Sequence, residues 1–225
     1  MSKPLRIALE GNIGVGKSTL LEKLPQHLLG GTWESLPEPV NHPEFQRLLN
    51  AFYLDHNKRV ELHTFIVKER MRETIALARD KNYISERSFI GDMVFAYANL
   101  LKHERPDGKY LGLIYESIEY GYHFPLDAVI YLEATPEACL KRIRSRGRSA
   151  EDEIEESYIH YLNNCYQTHL PEIAKQFKIP VIRIDWNEFR STEYIAQCVH
   201  TTLGIKSPLF QYEENEKPLR LRAIS

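Results

Sequence analysis

Leu5-Arg6-Ile7-Ala8-Leu9-Glu10 followed by Gly11-Asn12-Ile13-Gly14-Val15-Gly16-Lys17-Ser18 is the stretch from which the rest of the chain is read. A short apolar run gives way to G-x-x-x-x-G-K-S, the spacing of a phosphate-binding loop, which sits between a strand and a helix. The glycines let successive backbone N–H groups turn toward one centre, an anion nest at the positive end of the following helix. Gly11, Asn12, Ile13, Gly14, Val15, Gly16, Lys17, Ser18 and Thr19 are therefore the candidate nucleotide-binding residues. Lys17 would reach the β- and γ-phosphates, and the Ser18 hydroxyl would hold Mg²⁺. Thr19-Leu20-Leu21-Glu22-Lys23-Leu24 opens a helical pattern directly after the loop, as that reading requires.

Around this stretch lie 225 residues, 43% of them hydrophobic, enough for one sizeable core. A formal net charge of −2 carries no electrostatic footprint for nucleic acid or a membrane surface. Cys139, Cys165 and Cys198 are scattered and form no C-x-x-C spacing, the pattern of reduced thiols rather than of a disulfide framework or zinc site. Met1-Ser2-Lys3-Pro4 runs straight into the first expected strand, so no targeting peptide is expected. The apolar runs fall far short of the roughly 18 residues that cross a bilayer. The expectation is a cytoplasmic protein.

Strand-like and helix-like runs alternate, the pattern of a parallel sheet wrapped by helices. The strands are expected at 5–10, 32–36, 83–86, 128–132 and 181–185. Helices are expected at 18–29, 43–54, 58–80, 92–101, 110–121, 135–146, 154–177 and 192–203. Gly30-Gly31 reads as the stop of the first helix, and Thr135-Pro136-Glu137 as a capped helix start. Residues 1–205 form one domain on this reading. Residues 206–225, with two prolines and no clear period, form a separate tail expected to be partly disordered.

In an open α/β sheet the ligand lies off the carboxyl ends of the strands. Glu38, in Pro37-Glu38-Pro39, follows the second strand on stiff backbone and suits a general base set against a hydroxyl; a solvated loop glutamate is the alternative. After the third strand, Glu86 could ligate magnesium and Arg87 could brace the acceptor hydroxyl or the transferring phosphoryl group, against the plainer reading of a loop ion pair. Arg142 and Arg146 share a helix face, and Arg148 follows Gly147. Such a cluster could form a mobile arginine lid, about 142–154, although Glu151-Asp152-Glu153 beside it also fits a solvated face of offsetting charges. His63 and Arg70, seven apart on one helix face, could read a base edge, or Arg70 could simply pair with an acid elsewhere.

In combination these motifs resemble the deoxyribonucleoside kinases over roughly residues 5–189. EGNIGVGKS occupies 10–18, PEPV 37–40, ERS 86–88, YLEATPEACLKRIRSRGR 131–148 and DWNEF 185–189. The resemblance implies a P-loop kinase fold with a five-stranded parallel sheet and an arginine-rich lid. It implies an enzyme that uses Mg²⁺ and ATP to phosphorylate the 5′-hydroxyl of a deoxynucleoside, and a homodimer. Residue by residue, Glu38 matches the general base and Arg87 its brace. Ser18 and Glu86 match the magnesium environment, and Arg142, Arg146 and Arg148 the lid. Tyr53 and Glu151 match the pair on the sugar 3′-hydroxyl. Arg70 and Asp92 match the base-pocket pair of the branch that accepts deoxycytidine or deoxypurines. Asn187 and Phe189 lie in the loop that touches the donor adenine.

Two departures fall in the acceptor pocket. His63 stands where the family usually has a base-binding glutamine, and Asn41-His42-Pro43-Glu44 replaces a tryptophan-containing run. A thymidylate-type monophosphate kinase would need further cations for the acceptor's phosphate and a D-R-Y run in place of ERS. A non-catalytic subunit of the same fold would not need Lys17, Ser18, Glu38 and Arg87 intact.

Overall fold

The phosphate loop, Glu38 and Arg87 all follow the carboxyl ends of β-strands, and they share one edge because the strands run parallel. The computed structural model describes residues 3–54, 59–77, 81–102, 108–148 and 154–205. Its five strands are β1 (Arg6–Glu10), β2 (Trp33–Leu36), β3 (Asn82–Glu86), β4 (Ala128–Glu133) and β5 (Val181–Asp185). They form one sheet in the order β2-β3-β1-β4-β5, with every pairing parallel. The inner strands β1, β3 and β4 are buried almost throughout, as their unbroken apolar runs demand, whereas edge strand β5 alternates buried and exposed residues.

The described helices are α1 (Lys17–Lys23), α2 (Pro43–Leu54), α3 (Arg59–Ala76), α4 (Phe89–Lys102), α5 (Gly108–His123), α6 (Pro136–Arg146), α7 (Glu156–Gln176) and α8 (Thr192–Leu203). Those that supply buried residues divide between the two faces of the sheet. α3, α4, α5 and α7 build a core around Phe89, Met93, Leu162 and Tyr166, and α1, α6 and α8 build one around Leu21, Leu24, Ile143 and Val199. No described helix is long and apolar enough to cross a membrane.

The expected first helix, 18–29, is shorter. α1 stops at Lys23 and a 3₁₀ turn covers Leu24–His27, because Pro25 has no N–H with which to continue the α ladder. Gly30 and Gly31, at φ 99° and 115°, shape the loop into β2 rather than cap that helix. α4 begins three residues before the expected Asp92, since Ser88 Oγ accepts from Ile90 N at 3.2 Å and starts the turn. α3 ends at Ala76 rather than Asp80, and residues 78–80 lie outside the described residues. Thr135 caps α6 as expected, its side chain accepting from Ala138 N. The tail 206–225 and lid positions 149–153 also lie outside the described residues.

Candidate active site

β1 lies between β3 and β4, so the chain moves to opposite sides of it and a crevice opens off the strand ends. Glu10 ends β1, and the phosphate loop turns from it into α1. Gly14 and Gly16 have φ of 75° and 104°. A Cβ on Gly14 would lie 2.8 Å from Cys139 O, and one on Gly16 3.2 Å from the Phe189 ring, so these turns need glycine for both torsion and space. Lys17 is 4% exposed, and its Nζ donates to Asn12 O at 2.9 Å and Gly11 O at 3.2 Å. Burial first, and Arg87 second, pull its pKa down to about 8. The Asn12 side chain ties the loop to α7, donating to Ile159 O at 2.9 Å.

Ser18 Oγ donates to Glu86 Oε1 at 2.9 Å. Burial and the nearby Glu38 raise the Glu86 carboxyl. These two hard oxygens on adjacent elements, one of them on a buried carboxylate, are of the kind that would hold a magnesium ion. Among the described residues no cluster of three or more His, Cys, Asp or Glu offers another metal site.

Arg87 follows β3 and Glu38 follows β2, and the sheet order makes them neighbours. Arg87 Nε donates to Glu38 Oε1 at 2.6 Å, with both side chains largely buried. Burial works to raise the Glu38 carboxyl, but Arg87, Lys17 and Arg70 outweigh it and hold it below the usual range. Arg70, on α3, donates to both oxygens of Asp92 on α4 at 3.0 and 3.3 Å and to Glu86 O at 2.9 Å. The pair ties the apolar end of the crevice to the strand end.

One cleft joins these groups. Its polar end carries Lys17, Ser18, Glu38, Glu86 and Arg87, and its apolar end Phe45, Phe52, Leu62, Phe95 and Leu113, with His63 and Asp92 at that end's wall. Burial, with Arg59 and Arg87, pulls the His63 pKa down to about 3, so its imidazole is neutral. Arg146 and Arg148 also line the cleft.

Arg142 does not join them. Its guanidinium donates to Val15 O at 3.1 Å, Trp186 O at 2.7 Å and Asn187 O at 2.8 Å, and lies 4.4 Å from the Phe189 ring centre. It fastens the phosphate loop to the segment after β5. The Asn187 side chain is taken up within that segment and by Thr135 N, whereas Phe189 is 64% exposed. Tyr53 belongs to α2, but its side chain, like Glu151, lies outside the described residues.

Sequence reading passed over Glu10 and Tyr166. Glu10 closes a buried strand with an acid, which was a visible signal; Tyr166, in the middle of α7, gave none.

A deoxynucleoside kinase family model matches residues 7–202. The chain is 30% identical over 198 residues to a deoxyadenosine kinase of Dictyostelium discoideum, covering 86% of this chain and 77% of the relative. It is 28% identical to deoxycytidine kinase of Homo sapiens over 227 residues, covering 84% and 86%. The structure of a deoxyadenosine kinase from M. mycoides with bound dATP aligns at a TM-score of 0.69 and 26% identity, covering 89% of this chain and 99% of that one.

Proposed function

The chain belongs to the deoxynucleoside kinase family, whose members are phosphotransferases, and from that premise we propose that it transfers the γ-phosphoryl group of ATP to the 5′-hydroxyl of deoxycytidine or a deoxypurine nucleoside. The carrying observation is the Glu38–Arg87 pair at 2.6 Å, in one cleft with Lys17. The nucleoside base fits the apolar end, between Phe52 and Phe95, with its polar edge toward Asp92 and His63. The Arg70–Asp92 pair is the feature that favours the deoxycytidine and deoxypurine branch.

Glu38 accepts the proton of the 5′-hydroxyl, and its depressed pKa keeps it ionised and able to do so at neutral pH. Arg87 holds that carboxylate in place and lies where charge develops on the attacking oxygen. Lys17 and the loop N–H groups hold the triphosphate, while Arg146 and Arg148 stabilise charge spread over the equatorial oxygens. Ser18 and Glu86 would hold Mg²⁺, which when bound supplies neutralising charge at the β- and γ-phosphates. Phe189 and Asn187 offer a surface for the donor base, with Arg142 behind it. Membership also carries the expectation of a homodimer, which light scattering measures directly.

Glu38→Gln tests the assignment. It should lower kcat by about 10² to 10³ with little change in nucleoside KM, as removal of a general base does. Near-normal turnover would remove Glu38 from that role. A turnover panel of the four deoxynucleosides tests the base preference, and thymidine as the preferred acceptor would overturn it.

A further inference from the structure

Arg87 is held from more sides than contact with one carboxylate requires. Besides its bond to Glu38, Nη1 donates to Gly11 O at 2.9 Å and to the Tyr166 hydroxyl at 2.6 Å. Tyr166 in turn donates to Glu10 Oε2 at 3.2 Å. The other Glu10 oxygen accepts from Ser88 Oγ at 2.7 Å and Gly91 N at 3.1 Å. Glu10 and Tyr166 have no exposure at all, so neither can meet a substrate. Burying a carboxylate this completely is costly, and the cost is only partly offset by its three donors. Gly91 leaves the room for it: a Cβ there would meet Glu10 Oε2 at 2.5 Å.

The surroundings hold the same geometry. The Phe95 ring centre lies 4.6 Å from the Arg87 guanidinium, Tyr166 stacks on Tyr131 and meets Phe95 edge-on. Arg87 adopts φ 66°, left-handed backbone that a long side chain occupies only where its surroundings over-determine it. Its N–H is tied to Leu9 O at 2.9 Å. Donation therefore runs one way, from the guanidinium to the phenol and from the phenol to the buried carboxylate, and polar chains of this kind orient their members mutually.

We propose that Tyr166, anchored by Glu10, is a positioning residue for phosphoryl transfer, fixing the rotation of the Arg87 guanidinium so that Nε meets Glu38 and Glu38 faces the acceptor hydroxyl. The inference rests on the reading of Glu38 as the base. No proton passes along the chain Glu38–Arg87–Tyr166–Glu10; it transmits orientation only. The charged and titratable groups facing Glu38 are Lys17 from α1, Arg70 from α3, Asp92 from α4, Glu86 and Arg87 from the end of β3, and Tyr166 itself from α7. Of the charged members, Tyr166 is hydrogen-bonded to Arg87.

Tyr166→Phe keeps the ring and deletes the hydroxyl. Its kcat should fall about tenfold, the scale of one hydrogen bond to a charged group, with the triphosphate KM unchanged. The acid limb of kcat/KM for the nucleoside should move to higher pH, because a loosened Arg87 no longer opposes the burial of Glu38. Glu10→Gln, of equal size, should reproduce both effects, and it carries the same measurements should Tyr166→Phe fail to fold. In a Glu38→Gln background, Tyr166→Phe should add no further loss of kcat. A lower melting temperature with kcat and the acid limb unmoved would make the relay merely structural and overturn the proposal, as would losses that multiply in the Glu38→Gln background. Normal turnover of Glu38→Gln by itself would overturn the base assignment and the relay together, whereas a collapse of Glu38→Gln beside normal Tyr166→Phe and Glu10→Gln would overturn the relay alone.

Discussion

Lys17 and His63 differ from exposed residues of their kinds because both are buried, and burial disfavours a cation. Lys17, with a pKa of about 8, loses its charge in the free enzyme as pH rises through that value. The kcat/KM for the triphosphate should accordingly fall on the alkaline side with an inflection near 8, while kcat, read in the complex where phosphates restore the charge, holds to higher pH. His63, at about 3, stays neutral, so the nucleoside KM should be flat between about pH 5 and 8. An inflection near 6.5, the ordinary imidazole value, would show that His63 charges in the cleft. Glu38, Glu86 and Arg87 were legible because each stands at or just past a strand end, beside a proline or an opposite charge. Arg142 was read with the lid because helical spacing puts it on the Arg146 face; carbonyls of Val15, Trp186 and Asn187 capture it instead. Their positions depend on three separate segments meeting, which spacing along one helix does not encode.

α5 carries two internal glycines whose replacement should act in opposite directions. A Cβ on Gly112 meets nothing within 4 Å, whereas one on Gly121 would lie 2.7 Å from Phe89 and 2.9 Å from Phe177. Gly112→Ala should stabilise the protein by up to about 1 kcal/mol through helix propensity and reduced freedom of the unfolded chain. Gly121→Ala should destabilise it by about 1–3 kcal/mol through overpacking against α4 and the end of α7. Urea denaturation of both variants checks the pair. Helix periodicity alone treats the two glycines alike, and only the packing of Phe89 and Phe177 separates them. Elements with strong local punctuation, such as Pro43–Leu54 and Thr192–Leu203, match their expected bounds. The first helix ran short because a proline outweighed an apolar pattern that continued past it.

At the scale of the whole molecule, the parallel sheet gathers Lys17, Glu38, Glu86 and Arg87, from segments that follow β1, β2 and β3, into one cleft. Magnesium triphosphate at a hundredfold its Kd should stabilise the fold by about 2.7 kcal/mol, a rise of roughly 5–10 °C in Tm for a domain of this size. Thermal scanning reads it directly; Lys17→Met should lose most of the shift, and an unshifted wild-type Tm would show that the cleft does not hold the triphosphate. The sequence by itself determined the alternation of strands and helices, the phosphate loop, and the acids and arginines at the strand ends. These are matters of local spacing and backbone chemistry, complete within a dozen residues. Tertiary structure alone decided that Tyr166 meets Arg87 across 79 positions and Glu10 across 156, and that Arg142 leaves the cleft. Those outcomes follow from the strand order β2-β3-β1-β4-β5 and from buried polar groups seeking partners wherever the fold brings them, a competition with no trace in the spacing of neighbours along the chain.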